Sequence, residues 1–500
     1  MNLQSEKKGL VGVITSSSVG TLIEWYDFYI FGSLATLIST KFFPSGNPTL
    51  ALLSTLATFA AGFVVRPFGA LFFGRLGDLI GRKYTFLLTL VMMGLSTFLI
   101  GCVPGYETIG IAAPILVLLL RLLQGLALGG EYGGAATYVA EHSPAHQRGY
   151  WTSWIQTTAT AGLFLSLLVI ITTKGAMSEE AFTNWGWRIP FWISIIMVGV
   201  SLIIRLKMSE SPLFAKAKKE GKISINPLKE SFGHKLNFKF VLLALFGATM
   251  GQGVVWYTGQ FYALSFIQTT LHVDIAQASQ LIMWALLFAT PFFVVFGALS
   301  DKVGRKWIML TGMLLAILSY RTIYSNMYEV GSVTNKTEIL GERNTTNLTD
   351  GRTLTEYHYT DGTSQKIFKK ENNITAIVEL DATSFWKLVG LVFIQVLFVT
   401  MVYGPIAAFL VEMFPTRIRY TSMSLPYHIG NGIFGGLLPA MATFLAARAT
   451  QANEEALSAG LPLPFEKPFL EGLWYPIIIA GISFIIGALY INGEDNRIEN

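Results

Sequence analysis

The sequence of 500 residues contains little charge and a single cysteine. Charged residues make up 13% of it, which is about half the share found in ordinary soluble domains. The one cysteine, Cys102, excludes an internal disulfide. No glycine-rich phosphate loop follows a strand and no histidine and cysteine cluster has metal spacing, so the sequence predicts neither an enzyme nor a cofactor. The net charge of +5 does not suggest nucleic-acid binding.

Long apolar runs are what the sequence has instead. It is 52% hydrophobic, and a helix needs about 20 apolar residues to cross a bilayer core about 30 Å thick. Several runs reach that length, so we expect an all-α integral membrane protein with twelve transmembrane helices. The predicted spans are 11–38, 50–75, 83–103, 111–140, 150–173, 188–206, 238–268, 279–299, 305–324, 385–411, 420–447 and 471–492.

Two short stretches occur twice in the chain. "GRLGDLIGRK" from Gly74 matches "GALSDKVGRK" from Gly297, and "YGGAATYVAEHSPAHQR" from Tyr132 matches "YGPIAAFLVEMFPTRIR" from Tyr403. The second pair lies 271 residues apart. Six-helix halves repeated in parallel are typical of transporters whose site lies between the halves, near the middle of the membrane.

The repeat predicts the organisation of the chain. We expect an N-terminal six-helix half at 1–206, a cytoplasmic linker at 207–237 and a C-terminal six-helix half at 238–500. Lys and Arg collect in the loops on the side of the linker, which places both termini in the cytoplasm. A polar insert at about 325–384 would then be extracytoplasmic, and alternation such as "TLTEYHYT" predicts a small strand or hairpin within it.

The repeated stretch resembles the signature loop of the major facilitator superfamily. Further stretches are similar to its metabolite:H+ symporter family, namely "GTLIEWYDF", "RPFGALFFGRLGD", "RLLQGLALGGEYGGA", "WGWRIPF" and "ESPLF". This resemblance implies proton-driven import of organic acids or zwitterions such as oxoglutarate, citrate, shikimate, proline and betaine. We therefore expect a monomeric symporter of the cell membrane, whose partners are protons, the lipid bilayer and a small carboxylate-bearing substrate.

The repeated motifs also predict a cytoplasmic gate. Their glycines allow close backbone approach, their aspartates can cap a neighbouring helix, and their arginines can pair with glutamates on helices four and ten. Such pairs can hold one side shut and separate when the halves rock; the competing interpretation is that these charges only fix topology. The gate candidates are Gly74, Asp78, Gly81, Arg82, Glu141, Arg148, Gly297, Asp301, Gly304, Arg305, Glu412 and Arg419.

Five charges lie inside predicted helices of the N-terminal half, where they are costly and indicate function. Glu24 and Asp27 share a face of helix one. Asp27 is the first candidate for binding the coupling proton, followed by Glu24 and Glu131. Arg66 and Arg121 are candidates for binding an anionic substrate group, because a guanidinium can bind a carboxylate with two hydrogen bonds. Static ion pairs between helices one, two and four are the alternative.

The C-terminal half offers neutral polar and aromatic groups that can enclose a small substrate. For any single aromatic residue, packing or a membrane-interface belt is the competing interpretation. Arg188 and Arg321, near the outer ends of helices six and nine, are expected to be anchors that reach towards the interface. The substrate-binding candidates are Arg66, Arg121, Gln124, Tyr26, Trp256, Tyr257, Gln260, Tyr403, His428 and Asn431.

Three other functions stay open. A sugar-type facilitator is suggested by "ESPLF", although the signature that follows helix twelve in sugar porters is absent. An osmosensing proline or betaine carrier would be expected to continue into a coiled coil after about residue 492. From a different class, the chain could be a nutrient sensor that does not transport, and uptake into proteoliposomes would separate the two.

Overall fold

The structure of the chain is a computed structural model. It describes residues 18, 21–23, 25–43, 46–80, 82–130, 132, 136, 139–140, 143–207, 229, 232–348, 352–370, 373–414 and 419–491. Four of the candidates lie outside these residues, namely Glu24, Gly81, Glu131 and Glu141. For four more only the backbone is described, namely Gly74, Asp78, Arg82 and Arg419.

The described chain is predominantly helical, which confirms the predicted membrane fold. Its long helices are α1 (25–33 and Ala35–Phe42), α2 (Pro48–Val64 and Arg66–Ile80), α3 (Arg82–Cys102), α4 (Ala112–Gly129), α5 (Arg148–Gly175), α6 (Ile189–Lys207), α7 (Lys235–Thr269), α8 (Ile275–Val303), α9 (Arg305–Gly331), α10 (Ala382–Met413), α11 (419–458) and α12 (Pro468–Tyr490). Nine helices in the described part of the chain are long and apolar enough to cross a membrane. Shorter apolar helices lie in α3 and at α6, and α1 is described only in part.

Local sequence sets several of the helix ends. The Asn47 side chain accepts a hydrogen bond from Leu50 N, and Pro48 occupies the first turn of α2, as is typical of helix starts. Asp381 caps α10 through Thr383 N and Ser384 N in the same way. Gly304, with φ of +100°, separates α8 from α9, a conformation that side chains disfavour.

Glycines bring helices of the N-terminal half into backbone contact. A Cβ placed on Gly125 of α4 would lie 1.7 Å from the Gly62 carbonyl oxygen of α2, and one on Gly129 would lie 2.1 Å from that of Arg66. Small residues at such crossings are typical of membrane helices. Between the halves, α5 packs on α8, α2 on α11 and α1 on α7.

The insert contains a β-sheet, so the predicted strand or hairpin is confirmed and extended. Four antiparallel strands follow in chain order, β1 (Asn344–Asn347), β2 (Thr353–His358), β3 (Ser364–Lys370) and β4 (Asn373–Glu379). Thr355 pairs with Ile367, which pairs in turn with Ala376. The insert is shorter than expected, because α9 continues to Gly331 and α10 begins at Ala382.

Lys336 fastens the sheet to the start of α10. Its Nζ lies 2.5 Å from Asp361 Oδ2 and 3.6 Å from Asp381 Oδ1. Partial burial works to raise the pKa of the Asp361 carboxyl, but hydrogen bonds from Lys336 and Thr363 outweigh it and hold that pKa below its usual value. The pKa of Asp381 is lowered against partial burial too, through hydrogen bonds from Ser384 and Thr383. These carboxylates therefore stabilise the insert in their ionised form.

The two ends of the helix bundle differ in the segments that lie there. The end at which Gly304 joins α8 to α9 is the repeat face, since the second copy of the repeated stretch lies there. The opposite end, where α9 leads into the sheet, is the insert face.

Candidate functional site

Aromatic side chains from both halves meet in the middle of the molecule. The ring of Tyr29 on α1 lies 5.6 Å from that of Trp256 and 5.1 Å from that of Phe261, both on α7. Trp25 lies one turn from Tyr29, with its ring 6.4 Å from Trp256. We call Trp25, Tyr29, Trp256 and Phe261 the central cluster. Their exposure of 0 to 6% shows that they are shielded towards both faces.

Arg66 of α2 lies beside the central cluster. Its Cζ is 3.9 Å from the ring of Phe63, 4.7 Å from Phe28 and 5.1 Å from Trp25, distances at which a cation is attracted to ring faces. The ring of Phe63 contacts Tyr257 of α7 at 5.1 Å, so this arginine lies close to the C-terminal half. Its Nε and Nη2 have no hydrogen-bond partner among the described residues. A buried guanidinium with N–H groups of this kind is suited to bind a carboxylate.

Arg121 has a different environment, although it is equally buried. Its Nη1 donates to Gln124 Oε1 at 2.7 Å and to Phe28 O at 3.3 Å, and its Nη2 donates to Phe59 O at 3.3 Å. Gln124 in turn donates to Thr97 Oγ1 at 2.6 Å. These bonds all stay within the N-terminal half. Arg121 and Gln124 therefore brace α1, α2, α3 and α4 against one another.

Tyr26 and Asp27 point away from the central cluster. The Tyr26 hydroxyl donates to Pro190 O of α6 at 2.9 Å. A Cβ placed on Gly94 of α3 would lie 3.4 Å from Asp27 Oδ2, so this carboxylate faces α3. Its Oδ1 has no hydrogen-bond partner among the described residues. The structure does not bring Tyr26 to the predicted substrate site, where its neighbour Tyr29 lies instead.

Polar groups of the C-terminal half surround the same region. Gln252 and Asn431 exchange two hydrogen bonds, at 2.9 and 3.1 Å, and thereby join α7 to α11. Gln260, Trp256 Nε1 and both ring nitrogens of His428 are buried without hydrogen-bond partners among the described residues. Segments of π-helix occur beside them at Leu245–Thr249, Thr258–Tyr262 and Gly430–Gly435. Such segments are frequent at functional sites.

Three tyrosines and a glutamine link the halves next to this region. The rings of Tyr132 and Tyr427 are stacked 3.6 Å apart at 5°. The Tyr427 and Tyr403 hydroxyls are 2.8 Å apart, and Gln156 Nε2 donates to the Tyr132 hydroxyl at 2.6 Å. Tyr403 also borders the central cluster, with its ring 6.3 Å from that of Trp256. We call Gln156, Tyr132, Tyr427 and Tyr403 the tyrosine bridge; of these, Tyr403 is one of the substrate-binding candidates given above.

At the repeat face, the second copy of the repeated stretch forms a charged network. Arg305 binds Glu412 with two hydrogen bonds, at 2.7 and 2.8 Å, and Asp301 with a third at 2.8 Å. The two oxygens of Asp301 accept from the backbone N–H groups of Gly149 and Tyr150 at the start of α5, each at 2.9 Å. Asp301 thus joins the two halves at this face, and Arg305 ties it to Glu412 within the C-terminal half.

Two further gate candidates take part in this contact. Arg148 Nη1 lies 3.9 Å from Glu412 Oε1. A Cβ placed on Gly297 of α8 would lie 2.5 Å from Ser153 Cβ and 2.6 Å from Gly149 O of α5. The backbones of α5 and α8 therefore approach each other at a place where only glycine fits.

Contacts between the halves also exist at the insert face. Lys174 of α5 pairs with Asp274, which caps α8, and Thr36 Oγ1 donates to Gln268 Oε1 at 3.2 Å. Arg188 and Arg321, which were expected to be anchors at the membrane interface, also make hydrogen bonds within the protein. Arg188 donates to the carbonyl oxygens of Gly101 and Val103 at 2.8 and 2.7 Å and so caps α3. Arg321 likewise binds Glu471 at 3.0 Å.

Known proteins resemble this chain over nearly its whole length. A family model described as "Sugar (and other) transporter" matches residues 13–222. The alpha-ketoglutarate permease of Escherichia coli (strain K12) is 32% identical over 499 residues, which is 99% of this chain and 97% of the relative. This chain is a major facilitator superfamily transporter. The proline/betaine transporter of Salmonella typhimurium (strain LT2) is 32% identical as well, over 86% of the transporter and 77% of the relative.

Solved structures agree on the fold of the transporter. The crystal structure of a D-xylose-proton symporter superposes with a TM-score of 0.65 at 17% identity, and it covers 98% of this chain and 99% of the other. The relatives move metabolites across membranes and are not enzymes. The transporter is therefore a multi-pass membrane protein for small molecules, in which contacts between the halves at both faces enclose the central cluster.

Proposed function

We propose that this transporter is a proton-coupled symporter that imports a small organic acid by alternating access. The observation that carries the proposal is Arg66, a guanidinium buried between the halves whose Nε and Nη2 are without a described partner. Burying N–H groups of a cation without acceptors is costly, and a substrate carboxylate would supply an acceptor for these two nitrogens, which have none among the described residues. The relatives support this choice, because alpha-ketoglutarate, proline and betaine each carry a carboxylate.

The substrate would lie between Arg66 and the C-terminal half. The unpartnered groups of Trp256, Gln260 and His428 can supply hydrogen bonds to the rest of the molecule, and rings of the central cluster can enclose it. Arg121 and Gln124 support this site from behind, since their hydrogen bonds hold α1, α2 and α4 in place.

Asp27 is the proposed proton site. Its carboxylate is 1% exposed and faces α3, on the side of α1 opposite the central cluster. A carboxylate inside a membrane span indicates function by default, and here it lies apart from the proposed substrate site. Proton and substrate would then bind on two faces of one helix, so that a movement of α1 would couple them.

The repeat face would be cytoplasmic and would open to release the substrate. The halves proposed for this motion are residues 1–206 and 238–500, joined by the linker 207–237. The hydrogen bonds of Asp301 to the start of α5 would break as the halves separate, whereas Arg305 and Glu412 belong to the same half as Asp301 and would stay bonded to each other. The chain would lie in the inner membrane with both termini in the cytoplasm.

A zwitterionic osmolyte is the second candidate substrate. It is favoured by the rings of Trp25, Tyr29 and Trp256, whose faces can attract an alkylated ammonium group. A zwitterion could place its carboxylate on Arg66 and its cationic end on these rings.

Uptake into proteoliposomes tests the proposal. A thermal-shift screen against carboxylates, sugars and betaines would first choose the substrate. We expect accumulation under an imposed proton gradient and its loss with a protonophore. Equal uptake under a sodium gradient, untouched by the protonophore, would contradict proton coupling.

Asp27→Asn tests the proposed proton site. This variant should lose uphill accumulation and keep counterflow, whereas full accumulation would show that another group binds the proton.

Arg66→Lys tests the substrate contact. It keeps the positive charge and loses the planar fork, so we expect a loss of affinity of about tenfold or more. Arg188→Lys is the matched control, since Arg188 lies over an aromatic ring as Arg66 does, but it caps α3 at the insert face, away from the site. Equal losses in both variants would show that Arg66 acts through stability alone.

A further inference from the structure

The tyrosine bridge repeats one hydrogen bond in both halves and adds a stack between them. Tyr132 and Tyr403 occupy matching places in the repeated motifs, 271 residues apart. Their partners Gln156 and Tyr427 are also 271 residues apart. Each half therefore contains the same link, Gln156 to Tyr132 in one and Tyr427 to Tyr403 in the other.

The two halves differ at one position of this link. Where the N-terminal half has the amide of Gln156, the C-terminal half has the ring of Tyr427, and that ring alone reaches across to stack on Tyr132 at 3.6 Å. A pseudo-two-fold axis that exchanges the halves would carry this contact onto the pair Tyr403 and Gln156. The chain thus has one stack where its symmetry allows two.

The stack lies between the central cluster and the repeat face. Tyr427 follows Arg419, the first described residue of its helix at the repeat face, by eight residues, which is about 12 Å along a helix axis. Tyr403 lies beside Trp256 of the central cluster. All members of the bridge are buried, with exposures of 6% or less. The bridge therefore lies on the side of the central cluster that faces the repeat face.

We propose that the stack of Tyr132 on Tyr427 is an inner barrier that closes the central site towards the repeat face. Gln156 and Tyr403 are positioning residues, whose hydrogen bonds hold the two rings at the stacking angle. The hydrogen bonds of Asp301 to the start of α5 join the halves at the same face. The inference rests on the proposed alternating access, and its test needs no substrate.

The ratio of closed to open repeat faces tests the barrier. We would place nitroxide labels on the exposed residues His146 and Lys235, through His146→Cys and Lys235→Cys in a Cys102→Ser chain, and measure their distance distribution in lipid nanodiscs. Stacked aromatic pairs are worth about 0.5–1.5 kcal/mol beyond their burial. Tyr427→Gln should therefore raise the open fraction relative to the closed one by about 2- to 12-fold.

The internal symmetry supplies the decisive variant. In Gln156→Tyr/Tyr427→Gln the ring is moved to the other half, where it can bond Tyr132 and stack on Tyr403. This exchange should return the distance distribution towards that of the parent chain. Tyr403→Phe and Gln156→Leu should each shift the distance distribution in the same direction as Tyr427→Gln, but by a smaller amount. In these two variants both stacked rings remain, and only a hydrogen bond that positions them is lost.

Tyr475 provides the matched control. Its hydroxyl donates to Phe434 O within the C-terminal half, so Tyr475→Gln should lower thermal stability without changing the distances. The proposal is overturned if Tyr427→Gln leaves the distribution unchanged, if Tyr475→Gln changes it equally, or if the exchange fails to restore it while the protein stays folded. A failure of proton-coupled uptake would leave all these distances intact, so the two proposals fail separately.

Discussion

A single methyl group on Gly297 should open the repeat face. The alanine Cβ would lie 2.6 Å from the Gly149 carbonyl oxygen and 2.5 Å from Ser153 Cβ, whereas ordinary contacts begin at 3.4 Å. The backbones of α5 and α8 must therefore separate by about 1 Å, and overpacking of this kind costs about 1–3 kcal/mol. The halves can relieve the clash by moving apart, so the cost falls on the closed state alone.

The expected shift is large enough to measure. A change of about 1–3 kcal/mol alters the ratio of open to closed molecules by about 5- to 150-fold. The spin-label pair at positions 146 and 235 reports this ratio directly. Alanine also raises helix propensity over glycine by about 1 kcal/mol, but both states of the transporter contain the same helix, so this gain cancels.

Gly312→Ala is the matched comparison. Its Cβ would lie 2.8 Å from Met401 Cβ and 2.9 Å from Val402 Cγ1, a clash of similar size between α9 and α10 of one half. Rocking of the halves cannot relieve it, so we expect a lower melting temperature and unchanged distances. An unchanged distribution in Gly297→Ala, or an equal shift in Gly312→Ala, would refute the reasoning.

Three further predictions concern hydrogen bonds. Arg305→Lys cannot keep the planar set of hydrogen bonds that holds Asp301 and Glu412 in place. Asp301 should then hold the start of α5 less firmly, and the repeat face should lose about 1–2 kcal/mol of closure, seen as a longer distance between the same labels. Lys336→Met removes the donor that lowers the pKa of Asp361, so amide exchange in β2 to β4 should be faster than in the parent chain at pH 7. That difference should shrink as the pH falls below about 4 and through the lowered pKa of Asp361, where the carboxylate becomes protonated in the parent chain as well; a difference that stays constant would contradict it. Tyr26→Phe should lower the unfolding free energy by about 1 kcal/mol, because it removes the hydrogen bond to Pro190 O, and should leave substrate affinity unchanged. Tyr29→Phe should lower substrate affinity and leave the unfolding free energy unchanged. Thermal unfolding and binding assays would measure both quantities.

Much of the fold could be predicted from the sequence. Apolar length predicted the spans, and the duplicated motifs predicted two halves with a site between them. The strands of the insert were partly predictable, because alternating residues such as those of Thr353–His358 favour extended structure. The end of α9 was missed, because polar residues after 324 masked a helix that continues outside the expected span to Gly331.

The site was harder to predict because each helix has several polar faces. Charge directed the choice on α1 to Asp27 and its neighbour Tyr26, yet the face that meets α7 is that of Trp25 and Tyr29. Their spacing of four residues was the available signal. Which face of α1 is buried between the halves depends on the helix that packs beside it, and the sequence of α1 alone does not show this. The Tyr132 and Tyr427 stack was hidden for another reason, since its members lie on different halves and no local pattern joins them.

The sheet is attached to the transporter by more than its two chain connections. Val378 N donates to His272 O at 2.8 Å and Asp274 N to Val378 O at 3.0 Å, so β4 is bonded to the loop between α7 and α8. Gln277 holds the backbone of Leu380 from both sides, at 2.8 and 2.9 Å. The sheet should therefore turn as one body with the C-terminal half. The sheet breaks the pseudo-two-fold symmetry of the two halves, because it belongs to the C-terminal half alone. Antibody fragments raised against it would therefore help to align single particles in electron microscopy.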